Sequence, residues 1–215
     1  MDSIVTVVTP PATLHLTTPD AVKADLGVET DDNSLFFTDI GAVSSAIAGY
    51  LNRELALATV SEQYRLDRGR PAINLARYPV VGITSVTEAG VLLAASSYEL
   101  DPGAGQLFRL SNDSRICWAA SKITVVYQAG FKLPGSDGYT AGAAGSLPAD
   151  IEKAAVIACV ARAQGRGRDP MVKSTVVPNV LEEQYWVGTD PGQGDSGLPI
   201  ESERLLDRYR NIVAG

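Results

Sequence analysis

One stretch of the chain has the spacing of a phosphate cradle. Gly192-Gln193-Gly194-Asp195-Ser196-Gly197 fits G-x-G-x-x-G and lies between an extended segment and a helix, a context in which glycines let backbone N–H groups approach a pyrophosphate. A dinucleotide fold also needs a following strand bearing an acidic residue, and none follows within the 215 residues. The stretch therefore reads as a flexible linker. The carboxylate pairs are no better placed for acid–base work: Asp31-Asp32 precede a helix, where carboxylates cap, and Glu182-Glu183 fall in an extended, solvated tail. His15 is the only histidine, with no second histidine or carboxylate at ligand spacing. Cys117 and Cys159 show neither metal spacing nor a disulfide framework and read as small core residues. Asn112-Asp113-Ser114 fits a glycosylation acceptor, which a chain that is not exported never uses. With no nucleophile and base, no carboxylate dyad and no ligand set, the expectation is a protein with no catalytic residue, no cofactor and no metal.

Charge narrows the partners. The chain carries 18 Lys and Arg against 25 Asp and Glu, a net charge of -7, with a pI near 4.7. A protein that wraps nucleic acid by neutralising phosphates needs clustered cations, so that class is disfavoured. Arg68, Arg70 and Arg77 near turns form at most a basic spot, and loop arginines are usually just solvated. Acidity does suit a wall past which DNA slides without sticking. No apolar run approaches the length of a bilayer span, and Met1-Asp2-Ser3 opens without the basic segment and apolar core of a signal peptide. The expectation is a soluble, unexported chain in a reducing compartment, with no membrane partner.

The elements that position these residues are legible in the patterning. Residues from Met1 to Leu14 alternate Thr, Val and Pro and read as an extended arm. Thr18, Pro19, Asp20 and Gly27 bracket a short helix. A second helix starts near Asp32 to Ser34, lays Phe36, Ile40, Val43, Ile47 and Tyr50 on one face, and ends at Asn52. From Thr59 to Gln128 the period becomes two: Val60, Glu62, Tyr64 and Leu66 alternate with polar neighbours. Ile73 and Leu75 begin the next strand, and further strands fall at Ile83 to Glu88, Val91 to Leu93, Tyr98 to Leu100, Gln106 to Leu110 and Lys122 to Gln128. Turns at Ala89-Gly90 and Asp101-Pro102-Gly103 favour local antiparallel pairing. A Gly, Ala and Ser-rich loop from Lys132 to Ser146, mobile unless something holds it, leads to Leu147-Pro148-Ala149-Asp150-Ile151-Glu152, the start of a central helix. From Ala154 to Ala161 that helix is apolar around almost its whole circumference, so it is buried on more than one side, against a neighbouring subunit or inside one core. The fold class is α+β, with helices packed on a small antiparallel sheet or sandwich, an extended N-terminal arm, and a C-terminal tail ending in a helix.

The order of these patterns resembles the head-tail connector (adaptor) proteins of tailed bacteriophages. The resemblance rests on Ile123-Thr124-Val125-Val126-Tyr127-Gln128-Ala129-Gly130-Phe131 followed by Leu147-Pro148-Ala149-Asp150-Ile151, with the Leu16-Thr17-Thr18-Pro19-Asp20-Ala21-Val22-Lys23 helix start, Tyr78-Pro79-Val80 and Ile83-Thr84-Ser85-Val86 upstream. It covers most of the chain, though no single motif in it is catalytic or sharply diagnostic. What it implies is a structural protein of the virion neck, made in the bacterial host cytoplasm. In that plan twelve copies form a ring under the portal protein, receive a stopper or tail-completion protein below, and pass double-stranded DNA through the lumen without sequence-specific binding. A stopper or tail terminator is the other neck reading, which the helices count against, and a gene-transfer agent or domesticated prophage would show the same sequence.

Within this plan residues 1–170 are expected to form the adaptor core, with N-terminal helices, a β-region over about 59–128 and a central helix over about 148–165. Residues 171–215 supply an extended arm, a Gly-rich linker and a docking helix. That last helix, Pro199 to about Ile212, carries a narrow apolar stripe of Leu205, Tyr209 and Ile212 with Leu206 beside it, and is expected to dock on the portal rather than on its own core. Val156 and Val160 of the central helix, with Tyr185 and Trp186 of the arm, are the candidate subunit-interface residues.

Overall fold

The alternation that marks residues 58–66 places every second side chain inside. Ala58, Val60, Glu62, Tyr64 and Leu66 are buried and their neighbours are not. In the computed structural model, which describes residues 3–30, 32–166, 174–177, 181–184 and 196–211, these residues belong to one of two units. The first unit joins Met1–Leu14 to Arg53–Pro148 and the second joins His15–Asn52 to Ala149–Gly215. The division is not the expected one at residue 170. Strands and helices segregate instead, and each unit is built from two separate stretches of chain.

In the first unit β1 (Ser3–Thr9), β2 (Ala58–Arg65), β4 (Val80–Glu88), β5 (Val91–Leu92) and β9 (Lys122–Ala129) make a five-stranded sheet in the order β1-β2-β9-β4-β5. All its pairings are antiparallel. β9 lies at the centre and pairs with β2 from Ala58↔Ala129 to Arg65↔Lys122. A smaller sheet has the order β3-β7-β6, from β3 (Ala72–Asn74), β6 (Tyr98–Asp101) and β7 (Gln106–Ser111), with β8 (Ser114–Ile116) on β7. Local pairing therefore holds for β4–β5, β6–β7 and β7–β8, whereas β9 draws in strands far away in sequence. β8 escapes the sequence reading because Asn112-Asp113, read as part of a glycosylation triplet, is the two-residue turn of its hairpin, with φ of 49° and 59°. Both sheets contribute to one apolar cluster that includes Val60, Tyr64, Ile73, Leu107, Trp118, Ile123 and Val125. Trp118 is fully buried, and its Nε1–H donates to the Leu107 carbonyl at 3.1 Å.

Two expectations about this unit change. Residues 3–9 are extended but are not a free arm, because β1 pairs with β2 from Ser3↔Tyr64 to Thr9↔Thr59. The loop at 132–146 is held: Lys132 N–H donates to Gly145 O at 2.9 Å and Leu147 N–H to Lys132 O at 2.9 Å, closing its ends while Leu133 and Leu147 are buried.

In the second unit α1 (Pro19–Leu26) has the caps its sequence signals. Thr18 Oγ1 accepts from Ala21 N–H at 3.3 Å, and Gly27 takes the left-handed conformation at φ 67°. α2 (Ser34–Leu51) buries Phe36, Ile40, Val43, Ile47 and Leu51, and Asn52 closes it at φ 50°. This helix does reach the length and hydropathy of a minimal membrane span. It is a core helix all the same, since its buried face packs against α3 (Ala149–Gly165) and carries Asp39, which accepts from Arg162 Nε–H at 3.1 Å and from Arg166.

The all-round apolar character of α3 is explained within the chain. α1, α2 and α4 (Ile200–Leu206) all pack on it, burying Ile151, Ala154, Ala155, Val156, Ala158 and Cys159. α4 is shorter than expected and gives way to a 3-10 turn at Asp207–Tyr209. It is folded back on its own subunit, contrary to the expectation that it would stand off to meet a partner. Leu206 is fully buried, Ser202 Oγ–H donates to the Ala154 carbonyl at 3.0 Å, and Asn211 N–H donates to Leu51 O at 2.9 Å. The physical reason is that an apolar stripe on a short helix gains most from the nearest apolar face, and α3 offers one that α1 and α2 leave open. Replacing Leu206 by Ala should therefore cost about 2–5 kcal/mol of stability, read as a lowered urea midpoint at unchanged slope.

Candidate assembly surface

The residues singled out by the sequence fall into three positions. Leu206 and Val156 are inside the helical unit, at 0% and 6% exposure. Leu205, Tyr209 and Val160 are half-buried on its outside. Tyr185, Trp186 and Ile212 lie outside the described residues, as do Gly192 to Asp195 of the glycine-rich stretch. The interior members are thus spoken for by their own chain. Tyr209 receives a hydrogen bond from Arg208 at 2.8 Å, and Arg208 pairs with Asp150 at the start of α3.

Groups with chemical capacity are held by structural partners. Glu62, buried at 0% exposure, accepts from Tyr127 Oη–H at 2.7 Å, from Ala76 N–H at 3.0 Å and from the Ser3 hydroxyl. The alternation from Val60 to Leu66 put Glu62 on the inward register, where its role went unread. A carboxylate at an inward position of an alternating strand is the signal, because burial of a charge demands partners. Burial and the neighbouring Glu62 carboxylate together hold the Tyr64 and Tyr127 hydroxyls above the ordinary tyrosine range. Burial, reinforced by Asp39, pushes the Cys159 thiol up to about 12. Cys117 is exposed. Among the described residues no group of three or more His, Cys, Asp and Glu is placed to hold a metal. A cleft of about 150 Å³ in the strand unit is lined by Pro11, Leu57, Phe131, Lys132, Leu133 and Asp137 among others, too small for a nucleotide cofactor.

What remains available is surface. Exposed apolar side chains concentrate on the outer strands of the large sheet, with Ile4 and Val8 on β1 at 64% and 56% and Val91 and Leu92 on β5 at 66% and 68%. Such patches mark contacts with other macromolecules more often than catalysis. Two expectations follow for the side chains inside. Tyr127→Phe, which deprives the buried Glu62 carboxylate of a donor, should cost about 1–3 kcal/mol in a denaturant melt. At pH 8 a thiol reagent should titrate Cys117 in the native protein and Cys159 only after unfolding. The same thiol links stability to pH: its folded-state pKa is raised, so its contribution is complete below about pH 9, the ordinary value, and is lost as pH rises toward 12.

The sequence matches no family model and no curated protein. Solved structures do match in fold. A chain in the neck of an empty GTA particle, computed with C6 symmetry, superposes with a TM-score of 0.55 at 16% identity, covering 98% of this chain and 97% of that one. A chain in the neck of the native particle, computed with C12 symmetry, gives 0.52 at 15% identity with the same coverage. A chain in the virion of a native gene transfer agent particle gives 0.55 at 14% identity, again over 98% and 97%. By its fold, across nearly its full length, this chain is similar to a protein from the neck of a phage-like particle.

Proposed function

We propose that the chain is a structural component of the neck of a tailed phage or gene transfer agent. It forms a ring under the portal, bridges the capsid to the stopper or tail, and continues the channel through which DNA passes. The observation that carries this reading is end-to-end similarity of fold to chains from such necks, with 98% of this chain covered. Fold alone does not give function, but both units and the C-terminal helix are matched together rather than one common motif.

The chemistry is consistent with that reading. A lumen wall has to let phosphates pass, and a net charge of -7 repels rather than holds them. The protein acts without turnover, through surfaces. In this reading the outer residues of the C-terminal helix, Leu205 and Tyr209 with Ile212, meet the portal while Leu206 secures the helix to its own core. Tyr185, Trp186 and Val160 remain candidates for contacts between copies. A stopper or tail terminator is less suited, because four helices here make a unit of their own.

The test is to delete the gene and examine the particles by electron microscopy. DNA-filled heads and separate tails should accumulate, and adding the purified protein should join them. Tailed particles of normal appearance without the protein would overturn the proposal.

A further inference from the structure

The large sheet of the strand unit ends in two outer strands with little of the usual protection. β1 reads Ser3-Ile4-Val5-Thr6-Val7-Val8-Thr9, with no charge, no proline and no glycine, and its outer backbone edge is paired by no strand among the described residues. Ile4, Val5, Val7 and Val8 are all exposed. Monomeric proteins blunt such edges with lysines, prolines or bulges, and β1 has of these only a register shift between Val7 and Thr9, so most of its length is an open template for another chain. The opposite side of the sheet is apolar too. Val81 on β4 is 58% exposed, and β5 adds Val91 and Leu92. Seven of the thirteen large apolar residues exposed in the described chain lie on these two sides of one sheet.

We infer that these two sides are the two halves of a contact between copies of this chain: the β1 side of one copy packs against the β4–β5 side of the next. The inference rests on the neck reading above and says which surfaces build its ring. Three observations select a second copy as the occupant. First, the sides differ from each other, so the contact is heterologous, and a heterologous contact repeated by rotation closes a ring. Chains of similar fold stand in necks computed with C6 and C12 symmetry. Second, the strand directions agree. The pairings β1–β2, β2–β9 and β9–β4 are each antiparallel, so β1 and β4 run in opposite directions. A copy set beside another by rotation about an axis along the strands brings its β1 antiparallel to its neighbour's β4, continuing the alternation. Third, charge permits it. In a chain with seven surplus negative charges most surfaces of two copies repel, yet Ser3–Thr9 and Val80–Thr87 contain no charged residue.

The two sides are not equal in backbone. β5 covers β4 only at Thr87 and Glu88, Val80 N–H is taken by Pro102 O at 2.9 Å, and β4 is bulged between Val80 and Gly82 and between Ile83 and Ser85. Bulges interrupt a ladder, so continuous strand pairing across the contact is short and the apolar side chains carry it.

The experiment uses the full-length protein and two double variants, Ile4→Lys with Val8→Lys on one side and Val91→Lys with Leu92→Lys on the other. All four positions are exposed, so each variant should melt within about 3 °C of wild type. Sedimentation velocity over rising protein concentration should show wild type forming large assemblies and each variant staying monomeric. A mixture of the two variants should form a one-to-one dimer that grows no further, because only one intact pair of surfaces survives between them. If either variant assembles as wild type does, the edge contact is wrong while the neck reading stands. A Val91→Lys, Leu92→Lys variant that still dimerises alone would show a symmetric β1–β1 contact instead and also overturns it. Wild type that remains monomeric at every concentration counts against this contact and against ring formation together.

Discussion

Gly130 can carry no side chain. The backbone there sits at φ 108°, and a Cβ would lie 2.5 Å from the Ala56 carbonyl oxygen. The closeness has a purpose in the fold, because three strand ends meet at this point. Gly130 N–H donates to Pro79 O at 3.0 Å beside the start of β4, Phe131 N–H donates to Leu55 O at 2.7 Å, and Leu57 N–H donates to Phe131 O at 2.8 Å before β2. A larger residue would push the end of β9 away from both neighbours and break those bonds together. The register of the central strand and the closure of the loop at 132–146 both depend on this one contact.

Much of the rest could be read from local rules. Caps at Thr18 and Gly27, the stripe through Phe36 and Ile47, and the alternation from Val60 to Leu66 are short-range signals, and each element formed where they lie. What could not be read was which distant surface an element would meet. The pattern at residues 3–9 is extended whether the segment hangs free or joins a sheet; only β2 decides. The apolar stripe around Leu206 needs a partner, and nothing in the helix itself says whether that partner is α3 or another protein. Ser202 shows the difficulty well, since a serine on a helix predicts solvent, and its burial becomes sensible only when the Ala154 carbonyl is found 3.0 Å away. Glu62 is the same case in the sheet. Periodicity gives a face, and the identity of what covers it is a tertiary fact.

The candidate surface was legible to a smaller degree. Most of the apolar candidates, Val156, Val160 and the stripe around Leu206, lie on helices with a strong pattern, and a strong pattern is first of all a signal of the chain's own core. Val156 and Leu206 illustrate this: the features that mark a residue as sticky are those that let its own fold bury it. Residues such as Ile4 and Leu92 attract less notice in sequence because short strands alternate weakly, and they stand out only when the structure shows them uncovered.

An uncovered apolar edge would be a hazard in most proteins, and here the charge offers the balancing term. Long-range repulsion between chains of net charge -7 acts over roughly 8–10 Å at physiological ionic strength, whereas apolar contact gains act only when water is expelled between surfaces. Two free copies approaching at random present acidic faces far more often than the two uncharged edges, so nonspecific association is slowed. Copies already held side by side have no such search to make, and the same edges then meet at high effective concentration. A protein with this distribution stays dispersed when dilute and joins edge to edge as its concentration rises or where copies already stand aligned. The two edges are unequal all the same, β1 irregular only near its end between Val7 and Thr9, β4 shifted twice and partly covered by β5, so a contact between them would have a direction.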